Sequence, residues 1–144
     1  MGIIRARRKA ETRSLLIDAG LRVFAERGIE LGSLDEVAQT AGFTKGAIYR
    51  QFPSKGTFLL ALFEQYAAVA RAGAGARQAP WFTPLTLQFA AHAMRDPLLR
   101  RRFAVVLADA PEGTTAEGQL LRALARVLGA AVSGERPGSS GSPG

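Results

Sequence analysis

The chain has 144 residues, 47% of them hydrophobic, and a formal charge of +7 from 19 basic and 12 acidic side chains; that suffices for one core, or for a small module packed on a slightly larger one. Having no cysteine and a single histidine, His92, it excludes a disulfide framework and thiolate zinc ligation and leaves little for an imidazole metal site. The positive balance favours polyanionic partners. The basic opening MGIIRARRKAETRS lacks the apolar stretch of a signal peptide, no apolar run approaches the ~20 residues needed to cross a bilayer, and a cytoplasmic protein is expected.

The hydrophobic pattern is helical throughout, with no period-two strand run. RARRK at 5–9 reads either as an arm reaching phosphates or the minor groove, or as a disordered solubilising end. Residues 11–27 put Leu16, Ala19, Val23 and Phe24 on one helical face, with Gly28 as the C-terminal stop. SLDE opens the next helix as a capping box, Ser33 with Glu36; Val37, Ala38 and Ala41 face inward and Gly42 ends it after barely two turns. Thr44 caps a third helix to about Phe52, buried through Ile48 and Phe52 and broken at Pro53. Ser54 caps a fourth, carrying Leu59, Leu62, Phe63, Tyr66 and Val69, until AGAGA at 72–76, a linker.

Thr83-Pro84 and Asp96-Pro97 each supply a cap and a first-turn proline. RRR at 100–102 fans around its helix, a solvated surface with one stem partly packed. TTAE at 114–117 opens a last helix whose Leu120, Leu121, Leu124, Val127, Leu128 and Ala131 recur at three-and-four spacing, a candidate dimer seam. GERPGSSGSPG is too poor in apolar residues to order itself. The expected fold is all-α, with an N-terminal arm and three-helix unit over 1–54, a connecting helix and small helical domain over 55–133, and a disordered tail over 134–144.

The third helix is weak by itself: Gly46 costs about 1 kcal/mol relative to alanine. Two short helices joined at Gly42 have the spacing of a helix-turn-helix, whose second helix enters the major groove. Read so, its composition makes sense. Gly46 and Ala47 let the backbone approach DNA, and Thr44 with the free amides behind it can hold a phosphate. Lys45 can reach a guanine edge or a phosphate; Tyr49 and Lys55 can grip the flanking backbone; Arg50 and Gln51 can reach bases or backbone.

SLDEVAQTAGFTKGAIYRQFPSK, with LIDAGLRVFAERG before it, resembles the DNA-binding domain of the TetR family of transcriptional regulators over roughly residues 12–63. The resemblance implies an all-helical homodimer on a two-fold-related operator of double-stranded DNA, usually a repressor, released when a small-molecule effector binds the C-terminal domain. By position, Ser33, Thr44, Lys45, Gly46, Ala47, Tyr49, Gln51 and Lys55 match family DNA contacts, and Arg50 is an added contact. Gly20, Phe43, Gly56 and Thr57 depart from the usual pattern, so the first and fourth helices are expected to be less firmly set. The C-terminal region is short for the family, though LTLQFAAHAMRDPLLRRRF resembles a segment of many members.

The resemblance raises an apolar effector pocket of Trp81, Phe82, Phe89, Met94 and Phe103 to equal standing with simple core. His92 is read first as a core residue and second as a pocket group. The alternative function is a small-molecule-binding helical protein whose helix-turn-helix no longer binds DNA. An enzyme is not expected, since no nucleophile–base pair, metal cluster or phosphate loop in the right context is present; no cofactor is expected either.

Overall fold

A computed structural model describes residues 2–71, 82–109 and 116–133, and among these it contains seven helices. They are α1 (Gly2–Leu31), α2 (Leu34–Ala41), α3 (Lys45–Gln51), α4 (Lys55–Arg71), α5 (Phe82–Ala93), α6 (Pro97–Ala108) and α7 (Ala116–Ser133). The linker at 72–76 and the tail at 134–144 lie outside the described residues, as does Thr114 of the last capping box.

α1 starts nine residues before the sequence pattern places it. Residues 2–10 are helical and exposed, so the basic stretch is the first part of a rod and neither a loose arm nor a disordered end. It has no apolar stripe to reveal it, but Arg, Lys and Ala are good helix formers. An Arg7–Glu11 pair at 3.2 Å and the Thr12 hydroxyl on the Arg8 carbonyl at 2.8 Å add local support.

Gly28 interrupts α1 and does not end it. Its φ of 79° and ψ of 168° break the helix, which resumes for one more turn to Leu31; only glycine holds such a conformation cheaply. The break frees the Ile29 amide, which donates to Gln88 Oε1 of α5 at 2.9 Å.

The short helices are set by their caps. Ser33 Oγ accepts from the Glu36 amide at 3.2 Å, and Gly42 closes α2 in the left-handed conformation at φ 77°. Only this half of the expected capping box forms as a cap, because the Glu36 carboxylate turns to Arg27, 3.3 Å away. Ser54 and Thr57 tie the start of α4 with bonds of 3.1 and 2.8 Å, which offsets the missing acidic residues there. Asp96 Oδ1 accepts from Leu98 and Leu99, with Pro97 in the first turn of α6. α5 begins at Phe82, so Thr83 lies inside it and does not cap it.

Among the described residues, six phenylalanines thread the core. Phe58 of α4 contacts Phe52 edge-on at 4.9 Å and Phe24 at 6.0 Å. Phe63, one and a half turns on and so on another face of α4, stacks on Phe89 at 5.1 Å and meets Phe103 at 5.1 Å. α4 therefore enters two aromatic groups, one with α1 and α3, the other with α5 and α6. Gly20 is explained here. A Cβ on it would run into the Phe58 ring at Cζ, so its lack of a side chain makes room for that ring, and α1 gains packing where the sequence suggests only lost helix propensity. Of the arginine run, Arg101 and Arg102 are exposed while Arg100 is buried outright, beyond the partly packed stem expected.

Candidate nucleic-acid interface

α2, the Gly42 turn and α3 form a helix-turn-helix anchored from beneath by Leu34, Val37, Ala38 and Ile48, all buried. The turn is closed by the Phe43 amide on the Ala38 carbonyl at 2.8 Å. Thr44 Oγ1 then accepts from the Ala47 amide at 3.2 Å and starts α3. With Ile48 facing the core, helical geometry turns Lys45, Gly46, Tyr49 and Arg50 outward, and all four are exposed. A Cβ on Gly46 would meet nothing nearer than Thr44 Oγ1 at 3.9 Å; the glycine thus leaves bare a helix surface that has room for more. Ala47 is half-buried beside it.

Lys45 is not a loose charge. Its Nζ lies 3.1 Å from Asp35 Oδ2 in the first turn of α2 and 5.8 Å from the Tyr49 ring centre. The hydrogen bond and charge of Asp35 hold its pKa above the ordinary 10.5, so the lysine stays cationic throughout the neutral range. This bridge ties the first turn of α2, next to Ser33, to the first turn of α3. Sequence spacing gives Asp35 no role beyond the start of α2; its meeting with Lys45 depends on the angle between the two helices.

Two of the expected contact residues are engaged within the chain. Lys55 Nζ donates to the carbonyls of Ile29, Glu30 and Gly32 at 2.5, 3.4 and 3.1 Å. Its three protons thus close the C-terminal end of α1, where the helix dipole is negative. Gln51 is half-buried and lines a small cleft behind α3 with Arg13, Phe52, Glu64 and Arg102. In that cleft the Arg13 guanidinium lies 4.9 Å from the Phe52 ring centre. Ser33 is half-buried at the cap of α2, its oxygen accepting and its proton left to donate.

The C-terminal candidates divide differently. Phe89 and Phe103 are fully buried, 4.5 Å apart, and fill space between α4, α5 and α6. His92 is half-buried against Phe89 with its Nδ1 buried, and Met94 is exposed in the turn after α5. Trp81 and the side chain of Phe82 lie outside the described residues. In α7, Leu121 and Leu128 are buried within their own chain, Leu124 packs partly against the same core, and Leu120 is half-buried. Val127 is 60% exposed, and the Ala131 side chain is outside what is described. Most of the described part of the α7 stripe therefore packs on α6 and α5 of its own chain, Val127 being the part that faces out.

Among the described residues no group of three or more His, Cys, Asp or Glu side chains could hold a metal ion. None of their helices is long and apolar enough to cross a membrane.

The profile of the bacterial regulatory proteins of the tetR family matches residues 16–62. Over 54 residues the chain is 41% identical to the HTH-type transcriptional regulator AcrR of Shigella flexneri, a match spanning 38% of this chain and 25% of that protein. It is 47% identical over 45 residues to the HTH-type transcriptional regulator SrpR of Pseudomonas putida, covering 31% of this chain and 21% of that one. A similar match, 48% over 46 residues and 32% and 22% of the two chains, is to the HTH-type transcriptional repressor BepR of Brucella suis. The matched stretches thus span about a quarter of these relatives' length. No solved structure gives a significant match.

Proposed function

We propose that the chain, whose residues 16–62 match the tetR family of bacterial regulatory proteins, is a transcriptional regulator that binds double-stranded DNA through α3. One observation carries the reading. A seven-residue helix, too short to stand alone, is held by the core on its Ile48 side and turns Lys45, Tyr49 and Arg50 to solvent around a bare Gly46. That is the surface a major groove accepts: donors at the edges and a low backbone between them.

In this reading Lys45, Ala47 and Arg50 meet base edges, while Ser33, Thr44 and Tyr49 meet phosphates and fix the register. Lys55 contributes by holding the end of α1, and Gln51 by packing behind α3. The chain works as a homodimer on a two-fold-related site, with α7 supplying Val127 to the contact, and acts as a repressor. The repressor named among its relatives supports that last point. A small effector bound near His92 and the aromatic residues of α5 and α6 would release the DNA, and the Gln88–Ile29 bond gives that region a direct contact with α1.

Selection of sites from random duplex DNA at two salt concentrations tests the proposal. An enriched palindrome is the expected result, with affinity falling steeply as salt rises. A lone enriched half-site would remove the dimer from the account. No enrichment at either salt would overturn the DNA reading and favour the small-molecule-binding alternative.

A further inference from the structure

Lys45 is the one residue of α3 offered to DNA that already holds an anionic partner. The Asp35 carboxylate sits 3.1 Å from its ammonium, and both side chains are solvent-exposed, at 51% and 70%. An exposed pair of this kind contributes little to stability. Its position is what matters: a carboxylate stands on the surface proposed to meet a polyanion.

We propose that Asp35 is a specificity-determining residue, which steers Lys45 away from phosphates and toward the neutral acceptors of a base edge. This rests on the DNA-binding reading above. An ammonium has three protons, and one directed at Asp35 leaves two. If those two meet a phosphate, the phosphate and the Asp35 carboxylate become like charges close together around one cation. If they meet guanine O6 and N7, the acceptors are uncharged and the carboxylate is no obstacle. Asp35 therefore weakens attachment of Lys45 to the backbone of any sequence, and leaves its attachment to a matching base nearly intact. Such an acid lowers affinity for random DNA more than for the proper site, which raises the ratio between the two.

Neighbouring groups do not supply the same effect. Glu36, the other acid in the first turn of α2, is directed at Arg27. The Tyr49 ring stands beside Lys45 at 5.8 Å but brings no full negative charge.

The test compares the full chain with Asp35→Asn on two duplexes of equal length, one enriched by selection and one of random sequence, over a series of salt concentrations. Asp35→Asn should bind random duplex several-fold more tightly and the enriched duplex with less gain, so that preference falls. Its log–log salt slope on random duplex should steepen by about one, as Lys45 comes to neutralise a phosphate. Asp35→Glu, which keeps the charge, should stay near the parent. In a Lys45→Ala background the substitution should no longer alter preference. An unchanged ratio with an unchanged slope would overturn the inference while leaving DNA binding in place, as would an equal loss of preference without Lys45. Failure of the parent chain to prefer any duplex would instead bring down the DNA reading and this one with it. In the free protein, NMR titration of the Lys45 ammonium should show its pKa falling on Asp35→Asn; no change would deny the pairing itself, without reference to DNA.

Discussion

The two aromatic faces of α4 lie in different kinds of structure. Around Phe58 the short helices α2 and α3 bury a few apolar residues and leave a polar surface unoccupied; around Phe63 the longer α5, α6 and α7 turn most of their apolar residues on one another. The first arrangement yields a surface formed by a single chain. The second yields a core, with Val105, Leu98 and Val127 exposed on its outside. A run of leucines at helical spacing does not announce what it packs against, whereas a seven-residue helix with a single buried residue and a bare glycine does announce an outward face.

Substitutions on α4 should divide the two regions most sharply. Phe58→Ala removes a fully buried ring that covers Gly20 and meets Phe52 and Phe24, and should cost about 3–5 kcal/mol in denaturant unfolding. Phe63→Ala should cost a similar amount, but amide exchange should rise first in α5–α7 and not in α2 and α3. Equal loosening of both regions by both variants would make them a single unit.

Gly28→Ala comes next. The φ of 79° and a contact of 3.0 Å between the new Cβ and Gln88 Oε1 should lower stability by about 1–3 kcal/mol. The same variant should weaken the hold of α5 on Ile29, read as faster exchange of that amide.

Lys55→Ala and Lys45→Ala separate structural from interfacial lysines. The first should destabilise by about 1.5 kcal/mol through lost charge-assisted bonds to the end of α1, with the salt slope of DNA binding little altered. The second should leave thermal unfolding nearly unchanged and alter the preferred sequence. If their effects were exchanged, the assignments would be exchanged too. Ser33→Ala, which removes a cap, should cost about 1 kcal/mol. The smallest effect is expected from pH: with its pKa held above 10.5 by Asp35, Lys45 keeps its charge as pH rises through the neutral range, so its contribution to binding should be flat there and be lost only as pH passes that raised value.

What could be read in the residues was what acts over short distance. Ser33, Thr44 and Asp96 are caps because their oxygens reach amides two or three residues on, and Gly42 follows from the turn. The all-helical fold and the outward Lys45, Tyr49 and Arg50 follow from the 3.6-residue period. The rest depended on meetings between distant segments. Lys55 stands 26 residues from the Ile29 carbonyl and Gln88 59 residues from the Ile29 amide, and no spacing connects them. Gln51 matches a family DNA-contact position and can reach bases or backbone by sequence; one residue past Arg50 is a turn of 100° on a helix, and its half-buried side chain lines the cleft behind α3. The basic opening hid its helix because it lacks apolar residues to show a period.

An NMR map of backbone amides, followed as a selected duplex is added to the labelled chain, reads out directly whether α3 is the surface that meets DNA. The largest shifts are expected from Thr44 to Arg50 and at Ser33, with small ones at Gln51 and Lys55 and the least in α7. Shifts confined to α5–α7, with α3 unmoved, would contradict this assignment of α3.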